Sequence, residues 1–410
     1  MRSTDPSLLL ELAAQHGTPY YLYDAETMRE QLATLRAFDV VRYAQKACSN
    51  VHVLRLLREA GALVDAVSLG EIERALRAGY QGRGEPAGLV YTADLIDEAT
   101  LARVVELDIP VNAGSADVLE QLGRHHPGHR VWLRVNPGFG HGHSKKTNTG
   151  GEWSKHGIWH AYLDEALRHV EKYRLDLIGL HMHIGSGTDF EHLRRVCDAM
   201  VEQVRALGVD VRAISGGGGL PIPYRPGETS FDTGALHALW NDARRRVEEL
   251  VGHAVSLEIE PGRYLVAQAG VLVARVRAVK REGANRFWIV DAGFNDLARP
   301  VMYGAYHGIE VIAQSGGPAQ GPTQPVVVAG PLCESGDVFT QQDGGVVVPR
   351  ELPDAAVGDL VVIRDAGAYA SAMASNYNTR PLAPEFLREG DGVRQIRRRQ
   401  TVEELLALED

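Results

Sequence analysis

Eight short apolar runs rich in β-branched residues recur through the first two thirds of the chain, and they limit the fold more than any other feature. They are VVRYAQ near 40–45, ALVDAVS near 62–68, GLVYTA near 88–93, IPVNAG near 109–114, RVWLRVNP near 130–137, LIGLHMHIG near 177–185, VRAISGGG near 211–218 and VSLEIEPG near 255–262. Such runs suit strands covered on both faces. Most gaps between them carry helical spacing. In NVHVLRLLREAG, Val51, Leu54, Leu57 and Arg58 fall at helical intervals before Gly61. SLGEIERALRAGY opens on Ser68 with Glu71 three residues on, a capping-box pattern, and closes at Gly79. Ser68 also suits a ligand contact. Strand and helix alternating eight times predicts a closed (β/α)8 TIM-type barrel. An open doubly wound sheet is the competing architecture, but no GxGxxG follows the first run to support a dinucleotide-binding form of it.

After about residue 270 the texture changes. GVLVARVRAVKREGANRFWIVDAG, TQPVVVAGPLCESGDVF, GGVVVP and GDLVVIRDAGAY read as strands joined by Gly, Pro and Asp turns, with few helical stretches. The fold class is therefore α/β plus all-β: a barrel over 24–270, and a mainly β domain, barrel or sandwich, over 271–410. Residues 1–23, which hold all but the last residue of the strand-like TPYYLYD, join that second domain. The Gly-rich 137–157 segment is a long excursion after the fifth run, and long ordered loops are usually functional.

At 410 residues the chain has room for two domains. Its net charge of −10 argues against a nucleic-acid surface. No run of about eighteen apolar residues marks a membrane span. The N-terminus lacks the basic start, apolar stretch and cleavage site of a signal peptide. Only three cysteines occur, widely spaced, which fits a reducing compartment; the cytoplasm is expected. Cys48 and Cys197 read as packed positions, and His141 and His143 as residues that help close the site.

Chemistry in such a barrel gathers at the C-terminal ends of the strands. Lys46 ends the first run, Asp65 and Ser68 the second, Asn112 the fourth, Arg134 and Asn136 the fifth. His181 and His183 end the sixth, Gly216 to Gly219 the seventh, Glu258 and Glu260 the eighth. Taken singly, Lys46 is a solvated strand end and the glycines are a turn needing positive φ. A buried Glu beside Arg263 is then a salt bridge with it. Taken together, they line one mouth. SGGGGL lets backbone N–H groups approach a phosphate. In HMHIGSG the two histidines share a strand face, suited to a metal or to stacking on a planar ligand. A strand-end Lys, a phosphate cradle, a planar His and a carboxylate form the set that pyridoxal 5′-phosphate needs. The small Ala44 and Ala47 would leave room for its ring.

The motifs YAQKA, DAVSLGEIERAL, NTGGEWSKHGI, HMHIGSG, GGGGL, EPGRYLVA, DAGFNDLARPVMYGAYH, GPLCESGDVF and GAYASAMASNYNTRP follow one another along nearly the whole chain. In this order they resemble the diaminopimelate decarboxylase family, pyridoxal-phosphate enzymes of the alanine-racemase-like, barrel-plus-β-domain class. The resemblance implies decarboxylation of meso-2,6-diaminopimelate to L-lysine and carbon dioxide, the last step of lysine biosynthesis. It implies that Lys46 forms the Schiff base with the cofactor, that His183 stacks on its ring, and that Glu260 pairs with its pyridine nitrogen. Ser186, Gly217, Gly218, Gly219 and Tyr369 would hold the phosphate, with Gly219 foremost. Arg263 would serve cofactor or substrate; Arg299, Tyr303, Glu334 and Tyr369 would bind substrate. Cys333 would return the proton. The family's CES segment reaches the neighbouring subunit, so a homodimer with shared active sites is implied.

No bound metal is expected. A metal-dependent barrel hydrolase built on His181 and His183 fits less well. Such enzymes usually carry their histidine pair on the first strand, and this one sits on the sixth. An amino-acid racemase of this class would present an arginine, not Glu260, to the ring nitrogen. A polyamine-type decarboxylase tends to lack NDLARP. A catalytically silent relative would have lost Lys46 or Cys333, and both are present.

Overall fold

The structure, a computed structural model, describes residues 5–141, 148–187, 189–319 and 321–409. His143 lies outside the described residues. The chain forms two compact units. One comprises Met1–Arg29, Ile222–Ser230 and Leu265–Asp410; the other comprises Glu30–Pro221 and Phe231–Tyr264. Among the described residues no helix is long and apolar enough to cross a membrane.

After a helix at Pro6–His16 comes strand β1 (Tyr20–Asp24), which belongs to the first unit. The eight apolar runs then form β2 (Val40–Ala44), β3 (Leu63–Ala66), β4 (Leu89–Ala93), β5 (Val111–Ala113) and β6 (Arg130–Asn136), and, past the two-residue β7 (Ile158–Trp159), β8 (Asp176–His181), β9 (Ala213–Ser215) and β10 (Ser256–Ile259). All eight pair in parallel, from β2 through β6 to β8, β9 and β10, and β10 returns to β2 through Glu258 opposite Val40. The barrel is closed, so it has no free strand edge. Its walls are apolar because helices cover them: Val64, Leu89, Val111, Leu133, Leu180, Ile214 and Leu257 are all fully buried.

The connecting helices start where their sequences provide caps. Asn50, Ser68, Asp97, Ser115, Asp189 and Asp232 each accept a backbone N–H from the first turn of the helix that follows. Ser68 is thus a cap. Glu71 reaches back one residue farther than a capping box requires, accepting the Val67 N–H at 2.9 Å. Helix starts in this topology follow strand C-termini, so the caps ring the mouth where the polar residues gather.

The other unit adds β11 (Gly270–Glu282), β12 (Asn285–Val290), β13 (Ile309–Ile312), β14 (Thr323–Ala329), β15 (Arg350–Pro353), β16 (Leu360–Ile363), β17 (Glu385–Glu389) and β18 (Gly392–Arg397). With β1 these make a nine-stranded sheet in the order β15-β14-β12-β11-β1-β17-β18, with β16 pairing β11 and β13. The thirteen-residue β11 organises it. Its first half pairs with β1 and β16, and its second half pairs with β12 after a register shift near Val276. Leu9, Tyr20, Leu22, Val271, Val273, Ile312, Leu360, Val362 and Phe386 make its main core.

Candidate active site

Lys46 sits in a single 3-10 turn, Gln45–Ala47, directly after β2, with its side chain exposed. The turn is tied down by neighbours. Gln45 Nε2 donates to the Glu71 carbonyl at 3.2 Å, and the Tyr43 hydroxyl donates to the Cys48 carbonyl at 2.9 Å. The methyls of Ala44 and Ala47 face the backbone of Gly262, where an added Cβ would lie 3.3 Å from each. Their small size is accounted for by the close approach of the EPGR turn.

Glu260, just past β10, accepts from His181 Nε2 at 2.8 Å through Oε2, while Ser215 Oγ lies 3.4 Å from Oε1. Burial opposes its charge, yet the imidazole of His181, with His183 and Lys46 beyond, outweighs burial and holds the carboxyl well below the usual range. Asp65, ending β3, is the opposite case. Its Oδ1 is buried without a partner, and burial, with the charge of Glu260, lifts its carboxyl well above the usual range. Of these two acids, Asp65 takes a proton first and Glu260 stays ionised. Burial, followed by the charges of Arg134 and Lys46, pushes the His183 imidazole well below its ordinary value, so it is neutral.

The glycine run carries both of its readings. Gly217 (φ +62°) and Gly219 (φ +91°) lie in the left-handed region, and an added Cβ would fall 2.6 Å from His183 Cβ and 2.1 Å from the Gly185 carbonyl respectively. Backbone crowding alone therefore demands glycine at both positions. The same bend leaves the Gly218 and Gly219 N–H groups with no acceptor among the described residues. Arg263 Nη2 donates to Ser186 Oγ at 3.1 Å, so these two predicted ligands meet. The alternative reading, a salt bridge of Arg263 with a strand-end glutamate, is not seen among the described residues. Glu258 pairs instead with Arg42 at 2.6 Å, both fully buried, and Arg42 also donates to the Ala87 carbonyl ahead of β4. This pair lies away from the strand C-termini and is structural. Removing one partner would cost about 3–5 kcal/mol.

The long 137–157 segment is fastened at both ends. Asn136 Oδ1 accepts from the Gly138 and Gly151 N–H groups. Asp94, beyond β4, accepts the Gly157 N–H at 3.0 Å and meets His156 Nδ1 at 2.5 Å. Its described N-terminal part ends at His141, which approaches Asp189 at 3.4 Å, as His192 does at 2.9 Å. These three are close enough to share a cation. The two imidazoles, however, stack face to face at 3.9 Å and 24°. Their lone pairs run side by side and do not converge, and Asp189 already caps a helix.

The β unit holds the remaining predicted residues. Arg299, buried, opens the short helix Arg299–Tyr303, and its Nη1 lies 2.9 Å from His307 Nε2. Tyr369 stands at φ +57°, a strained conformation for an aromatic residue and one found most often where function requires it. Cys333 is exposed, and its N–H donates to Asn378 Oδ1 at 2.9 Å. Asp337 shapes this CES turn. It accepts the Leu332 N–H at 2.8 Å and the Phe294 N–H at 2.7 Å, joining the turn to the DAGF segment. Glu334 accepts weakly from Gly336 N–H, at 3.4 Å. Cys48 and Cys197 are buried and in no disulfide, as packed positions should be.

Residues 24–267 match the family model described as pyridoxal-dependent decarboxylase, pyridoxal binding domain. The diaminopimelate decarboxylase of Escherichia coli (strain K12) is 60% identical over 412 residues, spanning 99% of this chain and 98% of that protein. The chain belongs to the diaminopimelate decarboxylase family. A crystal structure of diaminopimelate decarboxylase superposes with a TM-score of 0.97 at 60% identity, covering 99% of this chain and 98% of that one. That of the Helicobacter pylori enzyme complexed with L-lysine matches with a TM-score of 0.85 at 32% identity, covering 97% and 98%. The chain is thus a pyridoxal-phosphate-dependent carboxy-lyase, in keeping with the resemblance read from its motifs.

Membership of this decarboxylase family gives the barrel-mouth groups a test. Pyridoxal 5′-phosphate needs an amine, anion donors, a flat neutral face and an acceptor for its ring nitrogen. Lys46, the unpartnered Gly218 and Gly219 N–H groups, the neutral His183 and the ionised Glu260 supply those four. The residues fit the group. Sequence reasoning missed His307, Tyr224 and Asp337, because none is marked by spacing. Arg42 left one signal, a charge inside an apolar run.

Proposed function

We propose that this chain decarboxylates meso-2,6-diaminopimelate to L-lysine and carbon dioxide, the closing step of lysine biosynthesis. The observation that carries the reading is Glu260 held ionised by His181 at 2.8 Å, at the same barrel mouth as Lys46. Pyridoxal 5′-phosphate, when bound, supplies a ring that withdraws the electron pair left by the departing carboxylate. Everything else falls to the chain's own groups. Lys46 Nζ would be the covalent anchor of the cofactor. Gly217, Gly218, Gly219, Ser186 and Tyr369 would hold its phosphate, and His183 would face its ring. Glu260, being ionised, would accept from the ring nitrogen and favour its protonated form. A racemase-type arginine at this place would do the reverse.

Arg263, Arg299, Tyr303, Glu334 and Tyr369 bind the substrate. Its distal centre carries a carboxylate and an ammonium, and both need partners once buried. Arg299 takes the carboxylate and Glu334 the ammonium. A substrate lacking the distal carboxylate leaves Arg299 unanswered and is rejected. Cys333 Sγ delivers the proton to the carbon that lost carbon dioxide. Cys333 and Glu334 come from a second copy, so the working form is a homodimer with shared sites. Three cysteines outside any disulfide suit a reducing cytoplasm.

Lys46→Ala tests the anchor. The variant should lose the visible absorption band of bound cofactor and at least about a thousandfold in rate. A variant that keeps both the band and the rate would end the assignment.

A further inference from the structure

The Arg299 guanidinium meets two neutral groups, the His307 imidazole and the Tyr224 ring. A guanidinium only donates. His307 Nε2, 2.9 Å from Arg299 Nη1, must therefore be the acceptor and carry no proton. His307 Nδ1 is 2.8 Å from the Arg364 carbonyl, which only accepts, so Nδ1 carries the hydrogen. Two contacts fix one neutral tautomer of a buried ring. Arg364 is itself anchored, its Nε 2.5 Å from Glu310 and its N–H on the Gly308 carbonyl at 2.8 Å. The imidazole is thus fixed to the end of β16.

Tyr224 closes the other side. Its ring lies 4.9 Å from the Arg299 guanidinium carbon and meets the His307 ring edge-on at 5.6 Å and 72°. Its neighbour Arg225 lies over Tyr306 at 4.5 Å, and Arg350 covers that ring at 3.7 Å. These contacts explain why Ile222–Ser230 belongs to the β unit although it follows the barrel's glycine run. Neither the imidazole nor the phenol ring brings a negative charge of its own to the guanidinium, while the Asp365 carboxyl feels its charge. A carboxylate in the place of His307 would have cancelled the charge that an incoming anion needs.

We propose that His307, with Tyr224, is a positioning residue that presents Arg299 to the substrate's distal carboxylate and so sets selection for a substrate carrying that group. The inference rests on the reading of Arg299 given above. His307→Phe keeps the ring volume and removes the acceptor. It should raise KM for meso-diaminopimelate roughly 10- to 100-fold, the loss of one charge-assisted hydrogen bond, and leave kcat within about threefold. The inhibition constant of D-lysine, which has the reacting end without the distal carboxylate, should stay within about twofold. His307→Gln, whose amide can accept from Arg299 and donate to Arg364, should restore KM to within a few-fold of the parent. Tyr224→Leu leaves the imidazole in place and should raise KM about three- to tenfold; it decides the matter if His307→Phe does not fold. Unchanged KM in His307→Phe and Tyr224→Leu, or a D-lysine constant rising in step with KM, overturns the proposal. Arg299→Ala separates the two layers. If it leaves KM unchanged, the reading of Arg299 falls and the proposal falls with it; if it raises KM while His307→Phe does not, only the positioning role fails.

Discussion

Asp296 is 2% exposed and accepts one backbone N–H, from Gly293 at 3.1 Å, and burial pushes its carboxyl up to about 6. The folded protein then binds more protons than the unfolded chain between about pH 4 and pH 6. Stability falls as pH rises through that window, and the full cost is present above it. Asp296→Asn keeps an acceptor for Gly293 and removes the charge. It should stabilise the protein by about 3 kcal/mol at pH 8 and scarcely at all at pH 4, read by thermal or denaturant unfolding at both values. An equal gain at both pH values would mean that charge is not the cause. Glu260 shows how a donor reverses this behaviour, because a buried carboxyl with His181 beside it stays ionised where Asp65 does not. That contrast was not legible in the sequence. Both acids end apolar runs, and only the fold decides which one meets an imidazole.

Among the elements, the bend after β9 is the most constrained. Gly217→Ala would place a methyl 2.6 Å from His183 Cβ and 2.7 Å from the Met182 carbonyl, in a left-handed backbone conformation. We expect a loss of at least about 2 kcal/mol and weaker cofactor retention on gel filtration. A variant as stable and as well loaded as the parent would show that the bend tolerates side chains. The strands were legible because helices cover them, so each reads as a continuous apolar run. The Asn136 and Asp94 staples of the 137–157 segment were half legible. Asn136 was marked by its position at a strand end, whereas Asp94 was not, and their partners Gly151 and His156 lie where no period points. His307 was illegible for a related reason. Its role depends on a carbonyl at Arg364, brought to it by the pairing of β13 with β16. Arg42 and Glu258 mark the reverse error, a carboxylate on a barrel strand that serves the core.

At the scale of the whole molecule, the account needs two copies of the chain. If Cys333 and Lys46 of one site come from different subunits, the inactive variants Lys46→Ala and Cys333→Ala should complement. Mixed under conditions that exchange subunits, half the dimers pair unlike chains and half of their sites are intact, so roughly a quarter of the parent activity returns. No recovery would place each site within one chain. The central claim is the reaction itself, and product analysis tests it most directly. Purified protein loaded with pyridoxal 5′-phosphate should convert meso-diaminopimelate to L-lysine with one carbon dioxide per lysine, as read by mass and by chiral chromatography. An isomerised diaminopimelate without carbon dioxide, or turnover of ornithine in preference to meso-diaminopimelate, would contradict the account.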